Sequence, residues 1–182
     1  VFASPLLSSK EEPASVPFVP ENDFNKKVQG MFLDEETADL CFEVSKEDEE
    51  KECIYAHRFI LTTCAPMLAS LFESSAIAKR TRSSRVSVGE MATVSITDVK
   101  PDIFRHLLYY LYGGAVLAKS MKAHAKEIID AADKYDIVNR KVEAEATYVK
   151  STVITIDNVV DDLFYVEAKN CALLKEAVMV FV

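Results

Sequence analysis

The side chains with the most chemistry in them are three histidines, His57, His106 and His124, and four cysteines, Cys41, Cys53, Cys64 and Cys171. Their spacing does not assemble a site. No Cys-x-x-Cys pair is present, and no histidine stands at zinc-ligand spacing from a cysteine. There is no Gly-x-Ser-x-Gly elbow, phosphate loop or dinucleotide fingerprint, and four glycines leave little material for a phosphate cradle. His106 and His124 fall among Leu and Ala in helical pattern and read as surface or half-buried residues. The acidic run Lys46-Glu47-Asp48-Glu49-Glu50-Lys51 lacks calcium-loop spacing and its glycine, and reads as a solvated turn. The basic run Lys79-Arg80-Thr81-Arg82-Ser83-Ser84-Arg85 reads as a polar surface loop. A kinase target at Ser83 and a nuclear-import signal stay open for it. No metal and no cofactor is expected, and the chain does not read as an enzyme.

Composition narrows the class further. A chain of 182 residues with 49% hydrophobic content fits one ordinary domain with a small appendage. No apolar run is long enough to span a bilayer, and no basic-then-apolar signal peptide opens the chain, so no membrane contact is expected. A net charge of −8 argues against nucleic acid as a direct partner. Three of the cysteines fall on apolar faces, the pattern of reduced, buried thiols, which places the protein in the cytosol or nucleus.

The stretch from Ala56 to Glu73 organises the elements around it. Phe59, Ile60, Cys64, Met67, Leu68, Leu71 and Phe72 recur three and four apart, and Pro66 splits the run into two short helices. This pair is too apolar for open surface, so it belongs to a core or a subunit contact. Before it, residues 1–22 hold Pro5, Pro13, Pro17 and Pro20 among serines, a linker composition. Phe24, Val28, Met31 and Phe32 share one side of a short helix. Ala38–Val44 and Glu52–Tyr55 form a β-hairpin around the acidic tip.

After the pair, Thr93–Ile96 reads as a third strand. A helix from Pro101 buries Ile103, Phe104, Leu107, Leu108 and Leu111 and stops at Gly113-Gly114. The next two helices, Ala123–Tyr135 and Ile137–Val149, are expected to bury Ile128, Ile129 and Ala132, then Val138, Val142, Ala146 and Val149. A last pair follows, with Thr155 capping one helix and Asn170 the next. The start without methionine and the apolar end read as a piece of a longer protein.

Several of these stretches, in this order, resemble the BTB/POZ family signature. They are Ala38-Asp39-Leu40 to Val44, Ala56-His57-Arg58-Phe59-Ile60-Leu61, Ala65-Pro66-Met67-Leu68 to Glu73, Ile96-Thr97-Asp98-Val99, and Ala131-Ala132-Asp133-Lys134-Tyr135. The resemblance covers about residues 23 to 182 and is nearest to the MATH-BTB, speckle-type POZ proteins. The fold it implies is α+β: a small three-stranded sheet with a cluster of helices. Residues 1–22 are a linker, residues 23–150 the BTB/POZ domain, and residues 151–182 a pair similar to the 3-box. The lead-in Val16-Pro17-Phe18-Val19-Pro20 and the helix from Phe24 to Met31 resemble the stretch that joins a MATH domain to the BTB/POZ domain.

The resemblance also implies roles. The family's apolar dimer positions fall on Phe24, Val28, Met31 and Ile60, making the chain a homodimer, with Met67, Leu71 and Phe72 locking the second half of the split pair into the domain. Val88-Gly89-Glu90 matches the hydrophobic-x-Glu motif of members that bind a cullin scaffold, with Val88 inserting into a pocket and Glu90 fixing the loop. His57 is implied to be structural, and Asp39 with Arg58 resembles a buried ion pair. The implied function is a homodimeric substrate adaptor for a cullin-RING ubiquitin ligase. The alternative is an oligomerisation domain of a scaffold or transcriptional regulator that does not bind a cullin.

Overall fold

The computed structural model describes residues 23–46, 51–80, 91–115 and 118–181. The sheet sits at the centre. β1 (Leu40–Val44) pairs antiparallel with β2 (Glu52–Ala56) and parallel with β3 (Ala92–Ile96), giving the order β2-β1-β3. The register sets Phe42 opposite Ile54 on one side and Val94 on the other. Because strand side chains alternate, Leu40, Phe42, Val44, Ile54, Ala56, Val94 and Ile96 share one face, and all are buried. The parallel β1–β3 pairing needs a long crossover, and the split helix pair supplies it: α2 (Arg58–Cys64) and α3 (Pro66–Arg80). Ala65, at φ −146°, is driven out of the helical region by Pro66, so α2 stops and α3 starts as the sequence predicts.

α4 (Pro101–Leu111) lays Ile103, Phe104, Leu107, Leu108 and Leu111 into the core, with Phe42 and Phe104 ring centroids 4.9 Å apart. Its end is a Schellman turn. Gly114 N–H donates to Tyr109 O and Gly113 N–H to Tyr110 O, both at 2.9 Å, and this requires Gly113 at φ +75°. α1 (Phe24–Gly30) is pinned to that turn, as Gln29 Nε2 donates to Gly113 O at 2.7 Å.

The remaining helices depart from the sequence reading in informative ways. The helix expected over Ala123–Tyr135 is α6 (Ala125–Lys134), and a short helix that the sequence reading did not include, α5 (Ala118–Ala123), precedes it. α7 (Val138–Ser151) buries Arg140, Ala144 and Glu145, while Val138 and Val142 face outward and Ala146 and Val149 are half-buried. The apolar period is offset because this helix turns two charged side chains inward: Glu145, which accepts a backbone N–H of another helix, and Arg140, whose hydrogen-bond partner Glu143 lies on the same helix. α8 (Val159–Lys169) starts after Asn158, not at Thr155. Asn170 does not cap α9 (Ala172–Phe181); it ends α8 in the left-handed conformation at φ +51°. Two cysteines, Cys53 and Cys64, are exposed, against the expectation that these thiols are mostly buried.

Candidate interaction surfaces

α1, α2 and α3 each show apolar surface. Phe24 is 63% exposed, and Val28 and Met31 are half-buried against the core. The expectation that Ile60 faces a second subunit is overturned: it is 8% exposed, inside the protomer's own core, while its neighbour Phe59 is 76% exposed. Successive helical residues point about 100° apart, so a seven-residue helix that buries Ile60 and Leu61 must turn Phe59 outward. Met67, expected to lock α3 into the domain, is 50% exposed, and that role falls to Leu68, Ala69 and Phe72. Leu71 packs half-buried against the core. Among the described side chains, the large apolar residues most exposed on these helices are Phe24, Phe59 and Met67. Val88 and Glu90 lie outside the described residues, as do the acidic tip, the linker and the side chains of the basic run.

Behind α2 a chain of hydrogen bonds crosses the domain. Thr37 donates its hydroxyl proton to Asp34 Oδ2 at 2.6 Å, and so accepts from His57 Nε2–H at 2.9 Å. In the neutral ring Nδ1 is then an acceptor. It takes the Tyr112 O–H at 2.8 Å, and the Tyr112 oxygen accepts the His57 backbone N–H at 2.9 Å. His57 is 6% exposed and Tyr112 is fully buried, so the polar atoms these two share need their partners. The Thr37 hydrogen bond holds Asp34 below the usual carboxylate range, and burial pushes Tyr112 up to about 12. Tyr112→Phe leaves Nδ1 and the His57 N–H unpaired and is expected to cost about 1–3 kcal/mol. Urea unfolding measures it, and a loss below about 0.5 kcal/mol would show the chain contributes little.

The buried ion pair expected between Asp39 and Arg58 does not form. Asp39 is exposed, and its Oδ1 accepts the Arg58 backbone N–H at 2.8 Å. α2 begins there, and His57, at its N-cap, makes no side-chain cap. A carboxylate from β1's lead-in takes that place, satisfying a free N–H and the positive end of the helix. The Arg58 guanidinium lies instead over the Phe72 ring, 5.7 Å from its centroid.

The C-terminal pair is tied down by charge. Lys126 on α6 donates to the fully buried Asp162 Oδ1 at 2.7 Å, and Tyr148 O–H on α7 donates to the same oxygen at 2.9 Å. The Tyr148 and Tyr165 rings each lie 5.0 Å from the Lys126 ammonium. The Tyr165 hydroxyl is 3.0 Å from Asp130 Oδ1 and 3.1 Å from the Lys126 carbonyl. Glu145, buried on α7, accepts the Leu174 N–H at 2.8 Å and so caps α9 from a different helix. The sequence reading missed these groups. Their signal was a charge on an apolar stripe: Asp162 falls between Val159 and Val166 at helical spacing.

Burial alone would lower the Lys126 pKa, but hydrogen bonds to Asp162 and Tyr148 outweigh it and hold the ammonium above its ordinary value. Burial raises Tyr112, Tyr148 and Tyr165. All four groups have folded pKa values above their unfolded ones. Their contribution is therefore full below about pH 10 and is lost as pH climbs through the folded values. Denaturant midpoints should fall steeply from about pH 10 upward. The fall should be shallower in a Tyr165→Phe, Lys126→Met variant, and equal slopes would refute this account.

Among the described residues, no cluster of His, Cys, Asp and Glu is placed to hold a metal, and no helix is long and apolar enough to cross a membrane. Among the described residues, α1, α2 and α3 present exposed apolar side chains. Residues 28–152 match the family model of the BTB/POZ domain. The chain belongs to the BTB/POZ family. Its three-stranded sheet with helices around it is the α+β architecture of that domain, and BTB/POZ domains are protein–protein interaction modules. The chain is 25% identical over 177 residues to BTB/POZ and MATH domain-containing protein 4 of Arabidopsis thaliana, covering 90% of this chain and 34% of the relative. It is 27% identical over 163 residues to BTB and MATH domain-containing protein 42 of Caenorhabditis elegans, covering 90% and 36%. The chain thus spans about a third of the length of these relatives.

Proposed function

We propose that this chain is a homodimeric, non-catalytic adaptor that brings bound proteins to the cullin scaffold of a ubiquitin ligase in the cytosol or nucleus. The observation that carries the dimer is the exposure of Phe24, Phe59 and Met67 on α1, α2 and α3. Burying a large apolar side chain gains roughly 1.5–3 kcal/mol. Three from each copy gain about 9–18 kcal/mol, against an association cost of about 4–15 kcal/mol. A two-fold contact brings the same patch of each copy together. The cullin half is supported by Val88-Gly89-Glu90 and by the helical pair α8–α9, which follows the BTB/POZ match as a 3-box would. Relatives that combine BTB and MATH domains support a role in presenting other proteins. Two copies would then present two ligase arms, and linkage of two weak contacts raises overall affinity.

Light scattering on Phe24→Asp, Phe59→Asp, Met67→Asp should give a folded monomer, whereas Ile60→Asp should unfold the protomer because Ile60 is core. A surviving dimer in the triple variant sinks the assignment. A pull-down then tests the second half. A cullin of the BTB-binding class should be retained by the wild type and lost with Val88→Asp, Glu90→Lys. A dimer that retains no cullin would leave the oligomerisation-domain reading in its place.

A further inference from the structure

The outer face of the sheet carries a pair of cysteines, away from the core cluster and from the apolar helix faces. Strand side chains alternate, so Cys41 and Glu43 on β1 share that face with Cys53 and Tyr55 on β2. The register sets Cys41 opposite Tyr55 and Glu43 opposite Cys53, which makes the two thiols diagonal neighbours across the strand pair. Both are free. Cys41 is 6% exposed, while Cys53 opens to solvent. Tyr55 is anchored beside them by its hydroxyl, which donates to Glu35 Oε1 at 3.0 Å. Burial, and after it the Cys53 thiol alongside, push the Cys41 thiol up to about 12, so the two sulfurs stand close enough to interact.

Two chemistries suit paired thiols, and reach separates them. Diagonal neighbours on one sheet face have Cα atoms about 7–8 Å apart. A disulfide wants about 4.4–6.8 Å, so closing an S–S bond here needs the backbone to move. An ion between the sulfurs fills the distance, since metal–thiolate bonds of about 2.3 Å on either side leave the sulfurs up to about 4.6 Å apart. A structural zinc takes four protein ligands, and among the described residues no third His, Cys, Asp or Glu joins this pair to make such a cluster. We propose that Cys41 and Cys53 hold a two-coordinate, thiophilic monovalent cation, Cu(I), bridged between their sulfurs on the outer face of the sheet. Thiolates are the ligands that select Cu(I). On binding, both S–H bonds break and their protons leave to solvent, two S–Cu bonds form, and copper stays Cu(I), so no oxidant or reductant is consumed. The exposed Cys53 is the point of entry, and the buried Cys41 shields the ion from water. The Glu43 carboxylate opposite Cys53, with Lys51 4.0 Å away, adds negative charge that favours a cation.

The full chain, reduced and kept free of oxygen, would be titrated against the Cu(I)–bicinchoninate complex, whose colour falls as copper is withdrawn. A single Cu(I) per chain is expected, with X-ray absorption showing a pair of sulfur neighbours. Loss of groups that only orient a metal's ligands weakens affinity by about 10–100-fold. Removing a ligand itself, in Cys41→Ser or in Cys53→Ser, should therefore weaken it by at least about 100-fold. Cys64→Ser and Cys171→Ser should leave it unchanged, and excess Zn(II) should not displace the copper. No withdrawal of copper, wild-type affinity in Cys41→Ser or Cys53→Ser, lost affinity in Cys64→Ser, copper shared between two chains, or displacement by Zn(II) overturns the proposal. Cys53 is exposed, so Cys53→Ser keeps the fold and decides the matter if Cys41→Ser does not fold.

Discussion

Lys126→Met is expected to lower the stability of the chain by about 3 kcal/mol. The substitution removes the cation paired with Asp162, which is fully buried, and leaves its charge with only the Tyr148 hydroxyl. Breaking a buried pair from one side typically costs about 3–5 kcal/mol. The lower end applies because the Lys126 side chain is 36% exposed and water still reaches it. Asp162 Oδ2 is buried without a partner, so the pair is imperfect even when intact. Lys126→Met combined with Asp162→Leu should therefore recover to within about 1 kcal/mol of wild type. Urea unfolding gives both values, and hydrogen exchange at the amides of α8 shows whether the loss is local to the C-terminal pair. A single variant that loses less than about 1 kcal/mol, or a double variant that loses more than the single, would show that the cluster does not hold α8 in place.

Arg140→Met should act in the opposite direction. The guanidinium sits where helix α7 faces the core, paired with a half-exposed Glu143 and with two donors unmatched. Replacing such a buried ion by a flexible apolar side chain of similar length is often stabilising by about 1–4 kcal/mol. Loss of the Tyr110 contact, worth about 1 kcal/mol, sets against this, so the net expectation is a gain of up to about 3 kcal/mol. Glu143→Ala should destabilise, since the buried charge then has no carboxylate. Thermal and urea midpoints of the two variants decide. A loss above about 1 kcal/mol in Arg140→Met would mean that the residue packs well as it stands. A gain would show that the fold holds this cation at a cost to its own stability.

The legible parts of this chain were those governed by local rules. Pro66 stops one helix and starts another whatever surrounds it, and Gly113 ends α4 because the turn needs a positive φ. In the strand Leu40–Val44, Leu40, Phe42 and Val44 share the face that meets the core, while Cys41 is buried on the other side. The face of a short helix is a different matter. Phe59 and Ile60 are adjacent and both apolar, and only the packing of α2 decides that Ile60 goes in and Phe59 out. Asp39 and Arg58 have opposite charges, yet a free backbone N–H at the start of α2 takes the carboxylate first.

The same division holds for the C-terminal half. Apolar spacing pointed to Val138 and Val142 as buried residues, and the structure buries Arg140 and Glu145 instead. Spacing alone reports which residues prefer to leave water. It does not report whether a charge will meet its partner on another helix, and Lys126 and Asp162 are 36 positions apart. The sequence by itself determined the family signature and most of the element order, because these rest on local chain preferences and on spacing. Only the tertiary structure decided which apolar side chains are left for a partner and which charges are taken inside, because both depend on what lies across the contact.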